Sequence, residues 1–221
     1  MTIMFKSSLL RKIVMALSGL FLISFLSLHF AINLASVFSE EIYNQWSHFM
    51  GYNGLVQFIL QPVLIAGVIV HFVMGFVLEI QNNKARGTVN YKVSGKSKNS
   101  SWISRNMILS GAVILAFIGL HMYDFWVHEM SYKYVEQLPV DEERYYAYTV
   151  LKFATIERTA IYVFAFFLLA LHLLHGFASS IQTLGLDNKL GMALKSFATL
   201  FSIGIPVGFA FIALFHHLNQ F

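Results

Sequence analysis

The chain has 221 residues, of which 57% are hydrophobic and only 12% charged, with a net charge of +4 and no cysteine. Soluble domains carry about twice that charged share, so lipid is the expected solvent for the excess apolar surface. The missing cysteine excludes disulfides, covalent haem attachment through C-x-x-C-H and cysteine-ligated iron–sulfur clusters.

A helix that crosses a bilayer needs about 20 mostly apolar residues. Five stretches qualify, and together they predict a single all-α membrane domain over residues 1–221. The first is Ile13 to Phe38. It is too long for a signal-peptide core and contains His29 and Asn33, so it is expected to remain in the mature protein. A short linker with Glu40 and Glu41 leads to the second span, Leu55 to Leu78, which contains Pro62. Glu79 to Asn106 reads as a polar, basic loop, and the third span is Met107 to Val127. His128 to Arg158 is acidic and tyrosine-rich, with room for a short surface helix. The fourth span is Thr159 to Ile181, followed by a polar turn. The fifth is Phe197 to Phe215, where Gly204, Pro206 and Gly208 are expected to bend the helix.

Charge sorts by side. The N-terminus and the second and fourth linkers carry 11 bases against two acids, Glu79 and Asp187. The opposite side carries four bases and nine acids. The positive-inside rule then places the N-terminus inside and the C-terminus outside. The basic excess is thereby accounted for without nucleic acid.

Six of the nine histidines fall within the spans or at a span end: His29, His71, His121, His172, His175 and His216. Ionisable groups inside a membrane are costly and usually functional. A single one can be a histidine bonded to a neighbouring helix, but four helices each carry one. Their depths match. His29 lies 17 positions after Lys12 and His121 16 after Arg105, each about 25 Å from the inner end. His71 lies 17 positions after Gly54 and His175 17 after Arg158, both counted from the outer end. This predicts two pairs about 10 Å apart in depth: His29 with His121 in the outer half, and His71 with His175 in the inner half. Two imidazoles facing each other at one depth can hold one haem iron axially and leave it no open position, which suits electron transfer.

A repeat accompanies the pairs. Ser18-Gly19 precedes His29 by nine intervening residues, and Ser110-Gly111 precedes His121 by nine. Glycine admits a bulky plane or another backbone close to the helix. The alternative is ordinary small-residue helix packing. His172, three residues before His175, faces roughly the same way. It is an alternative ligand, a proton carrier or a propionate partner. His175 is preferred because Gly176, Ala178, Ser179 and Ser180 follow it. His48, His128, His216 and His217 read as solvated or interfacial.

Met15-Ala-Leu-Ser-Gly-Leu-Phe-Leu22 leading to His29, Val70-His71-Phe72, Gly119-Leu-His-Met-Tyr123 and Leu174-His-Gly-Phe177 carry a resemblance. Together they resemble the cytochrome b membrane anchor of succinate:quinone oxidoreductases, the succinate dehydrogenases and fumarate reductases. The form is the bacterial single-chain, five-helix type with two haems b, and the resemblance covers about Lys12 to Phe215. It implies the same four ligands in the same pairs. It also implies a flavoprotein and an iron–sulfur partner on the inner face, with Lys84 to Arg105 as the docking platform. It implies a location in the bacterial cytoplasmic membrane and a quinone, menaquinone in most members, reacting near the outer haem. The chain would then be the electron-relaying subunit of an enzyme, with no carbon chemistry of its own. An oligomer of the whole complex is left open.

Ser18, Gly19, Ser110, Gly111, Arg105 and His172 are candidates for haem packing or propionate binding. Glu40, Glu41, Asp124 and Glu129 are candidates for the acid that handles the quinol proton. Two rivals share parts of this pattern. One is a di-haem cytochrome b of another dehydrogenase, such as a hydrogenase or formate dehydrogenase. The other is a haem-free proton channel or transporter using the histidines as a relay.

Overall fold

Ser7 opens the first helix, its side chain accepting the Leu10 N–H at 3.4 Å and so satisfying one of the first-turn donors. From there the computed structural model describes residues 7–86, 106–186 and 189–220, and the described residues contain helices and no strand. The long elements are α1 (Ser8–Phe38), α3 (Gln61–Arg86), α4 (Met107–His121), α6 (Ile156–Thr183) and α7 (Lys189–Leu218). Two shorter helices, α2 (Glu40–Tyr52) and α5 (Arg144–Lys152), lie between them. Five helices are long and apolar enough to cross a membrane: Ser8–Phe38, Val56–Lys84, Met107–Val135, Ile156–Thr183 and Lys189–Leu218. The fold is that of a multi-pass membrane protein.

Each predicted span is present and longer than expected, because apolarity ends before helical hydrogen bonding does. The linker after α1 is itself helical. Ser39 stops α1 in extended conformation and caps α2, accepting the Ile42 N–H at 3.2 Å. Glu40 and Glu41 then occupy the first turn, where negative charge suits the helix dipole. α3 is preceded by a π-helical turn, Val56–Leu60. Pro62 follows directly, inside the continuous helical run, just after the wider π turn that interrupts the regular hydrogen-bond ladder. α4 runs on without a break through a π-helical segment, Met122–Val127, then His128–Met130 and a second π segment, Ser131–Val135. α5 is the short helix expected in the tyrosine-rich linker. The fifth span, α7, contains Pro206 and begins at Lys189, several residues before its apolar stretch.

α6 packs most closely on α7, and α1 touches α2, α3, α6 and α7. α4 packs on α6 and, less closely, on α3. Thus α1, α3, α4 and α6 form a four-helix bundle, with α7 laid against α6 and α1. Two clusters seal it. Phe153, Tyr162, Phe166, Phe209 and Ile212 fill the end beside α5. Phe177, Ile181 and Ala198 fill the other end. The outward faces stay apolar, with Phe58, Ile69, Phe164 and Leu200 all exposed, as expected of helices that meet lipid.

α2 and α5 are tied to each other at one end of the bundle. Tyr43 hydroxyl meets Thr149 Oγ1 at 2.9 Å, and Asn44 Oδ1 accepts the Tyr146 N–H at 2.7 Å. Glu129 bridges Lys133 at 2.6 Å and Arg144 at 2.5 Å. Burial, and then the nearby Glu129 carboxylate, push the Tyr145 phenol above its usual range, so it stays a donor to Glu129.

Close approach of α1 and α7 depends on Gly208. A Cβ there would overlap the Phe30 ring, which already packs edge-on against Phe209. Overpacking of this kind costs about 1–3 kcal/mol. Gly208→Ala is therefore expected to lower the thermal unfolding midpoint in detergent. An unchanged midpoint would mean that Phe30 turns aside freely.

Candidate functional site

Each of the four bundle helices contributes one histidine to a facing pair. His29 on α1 and His121 on α4 have ring centres 5.6 Å apart, with planes at 83°. His71 on α3 and His172 on α6 have ring centres 6.4 Å apart, at 68°. Phe25 stacks on His29, Phe209 lies tilted against it, and Phe117, Phe125 and Tyr162 surround His121. Such walls keep water from the imidazoles.

The second pair differs from the expected one. The structure sets His172, and not His175, against His71. The depth count on α6 started two residues late. The helical run that carries His71 begins at Gly54 and α6 at Ile156, so His71 lies 17 positions in and His172 lies 16, whereas His175 lies 19. Nor do the small residues after His175 mark a ligand. Gly176 faces Met107 of α4, and the Ser180 hydroxyl lies beside Gly19 of α1, so this stretch is helix packing.

The repeated Ser-Gly pairs serve histidines on other helices. Ser18 Oγ lies 3.0 Å from His71 Nδ1, and Ser110 Oγ lies 3.1 Å from His172 Nδ1. Gly19 and Gly111 lie under the Cε1 atoms of the same two rings. The first pair has no equivalent support. Asn33 Nδ2 is 3.5 Å from either nitrogen of His29 and donates at 2.8 Å to the His29 carbonyl. His121 Nδ1 is buried without a hydrogen-bond partner.

One turn beyond His121 sits a buried carboxylate. Asp124 is 0% exposed. Its Oδ2 accepts from the Tyr162 hydroxyl at 2.8 Å, and Arg158 lies 3.5 Å away. Its Oδ1 has Lys152 at 3.6 Å and no hydrogen-bond partner. The π segment Met122–Val127 carries it, and such segments occur often at functional sites. Of the four acid candidates, only Asp124 is wholly buried. Glu40 and Glu41 are exposed at the start of α2, and Glu129 is consumed by Lys133 and Arg144. Arg105 and most of the basic platform lie outside the described residues.

His216 is a correction of another kind. It is 1% exposed rather than interfacial, with Nε2 2.8 Å from Ser36 Oγ. Tyr146 and Phe153 cover it because α5 folds back over the end of α7. Nothing in the local sequence signals that burial. His128, by contrast, does lie near the end, its ring stacked 3.8 Å from Tyr148.

No protein-family model, curated protein or solved structure matches this chain. Its chemistry must therefore be read from the site. Among the described residues, no three or more His, Cys, Asp or Glu side chains converge as a metal cluster. The histidines meet in twos, which is what axial ligation of a planar cofactor requires. Two imidazoles that each bound one metal ion at about 2 Å would have ring centres about 6 Å apart. Both pairs fall close to that separation. The buried Nδ1 of His121, without a hydrogen-bond partner, fits a ligand set in need of a group to engage.

Proposed function

We propose that the chain is a di-haem cytochrome b, the membrane anchor of a succinate:quinone oxidoreductase in the bacterial cytoplasmic membrane. The observation that carries this reading is the pair of facing histidine couples, one from α1 and α4 and one from α3 and α6, at 5.6 and 6.4 Å. His29 and His121 would hold one haem and His71 and His172 the other. Haems held in this way supply reversible one-electron transfer without an open position for oxygen.

The residues of the chain do the rest. His29 and His121, and His71 and His172, four imidazoles from four helices, would hold the two haems. The aromatic walls exclude water from the His29–His121 couple. Reduction of a quinone takes two protons as well as two electrons. Asp124 Oδ1 is the atom placed to carry a proton beside that couple, while Tyr162 holds Oδ2. Lys152 and Arg158, 25% and 30% exposed, link this carboxylate to the aqueous edge. In this reading the N-terminus lies inside. A flavoprotein and an iron–sulfur protein dock on that face, and menaquinone reacts at the other. The matching Ser-Gly and histidine motifs support the family; the paired rings support the haems.

A dithionite-reduced minus oxidised spectrum with a pyridine haemochrome count tests the reading. Two low-spin haems b per chain are expected. A folded, colourless chain would sink it and favour a proton relay. Co-purification then tests the complex: a nickel or molybdenum subunit in place of a flavoprotein would assign the chain to another dehydrogenase.

A further inference from the structure

The serine hydroxyls beside His71 and His172 decide where those imidazoles keep their protons. Ser18 Oγ donates to the Met15 carbonyl at 2.9 Å, and Ser110 Oγ to the Met107 carbonyl at 3.0 Å. A hydroxyl has one proton, and a carbonyl can only accept. With that proton committed to the carbonyl, the contact at 3.0 or 3.1 Å must run the other way, from imidazole Nδ1–H to the serine oxygen. A neutral imidazole protonated on Nδ1 has a bare lone pair on Nε2.

We infer that Ser18 and Ser110 are positioning residues that lock His71 and His172 in the Nδ1–H tautomer and turn both Nε2 lone pairs into ligands. The two locks have the same construction. Each uses the serine of a Ser-Gly pair, a carbonyl three residues back on the same helix, and a histidine on a neighbouring helix. Each following glycine lets the ring edge lie close to the helix, with the ring Cε1 3.4 Å from where a Cβ would stand. The bundle is thus built twice over, with α1 serving α3 as α4 serves α6. His29 and His121 lack such a lock, so the two couples are chemically unequal. A histidine that donates through its far nitrogen is a stronger, more basic ligand, and a more basic ligand favours the oxidised metal.

This inference rests on the haem reading for its redox consequence but not for the tautomer. Redox titration and low-temperature electron paramagnetic resonance of the full purified chain test it. Ser110→Ala is expected to raise the midpoint potential of one haem, by about tenfold in its oxidised-to-reduced preference, or about 59 mV for one electron. Its resonance should shift while that of the other haem stays put. Ser110→Thr, which keeps the hydroxyl, should restore both. Loss of that haem in Ser110→Ala with recovery in Ser110→Thr is the same result in stronger form. Two haems with unmoved potentials and resonances in both Ser18→Ala and Ser110→Ala would overturn the lock. A wild-type chain that binds no haem would remove the haem reading alone. Nitrogen-15 spectra of its histidines would then read the tautomer directly, and Nε2-protonated rings at His71 and His172 would overturn the inference.

Discussion

Replacing His172 by alanine is expected to remove one of two haems, whereas His175→Ala should keep both. The two residues are one turn apart on α6, and either could be drawn as a ligand from the sequence. Only His172 has its ring centre 6.4 Å from that of His71, and only His172 has its Nδ1 held by a serine of another helix. On the haem reading, His172→Ala would leave His71 alone of the two residues that would hold that haem. Losing a group that merely orients a metal ligand costs about 10–100-fold in metal affinity, so loss of the ligand itself should empty the site. His121→Ala should remove the other haem and leave this one. The haemochrome count per chain reads each case. Full occupancy in His172→Ala, or a single haem in His175→Ala, would return the ligand role to His175.

A second large effect is expected at Asp124. Asp124→Asn keeps an oxygen for the Tyr162 hydroxyl but cannot carry a proton. Lys152 and Arg158 are long and partly exposed, so they can turn their charges toward water and the fold should survive. A positioned proton carrier is worth roughly 10²–10⁴-fold. Quinone reduction by the assembled complex should therefore fall about a hundredfold or more. Haem content and reduction of the haems by dithionite should not change. If quinone turnover is unchanged, Asp124 is a structural anchor for Arg158 and Tyr162. If haem is lost as well, its role lies in holding α4 to α6.

Much of this architecture was legible without coordinates, because lipid imposes simple demands. A span must be about 20 apolar residues long, and all five could be read from Ile13 to Phe215. A buried histidine is expensive in hydrocarbon, so His29, His71, His121, His172, His175 and His216 stood out at once, with His175 preferred to His172 as the partner of His71. The pairing of His29 with His121 followed from rise per residue alone. The Ser18-Gly19 and Ser110-Gly111 repeat was visible as spacing, although its partners were not.

What the tertiary structure decided is everything that depends on where a helix begins and which way it faces. His172 and His175 differ by one turn, about 4.5 Å of rise. An apolar count cannot resolve that, because apolarity begins several residues inside the helix. The serine locks join residues 53 and 62 positions apart. They form only when α1 lies on α3 and α4 on α6, so no local pattern announces them. The burial of Asp124 and His216 has the same origin. Each lies at a helix end that reads as interfacial, and each is covered by chain from elsewhere: Tyr162 for Asp124, and Ser36 with Tyr146 for His216. Sequence by itself determined which groups must be hidden from lipid; packing between distant helices determined what they meet there.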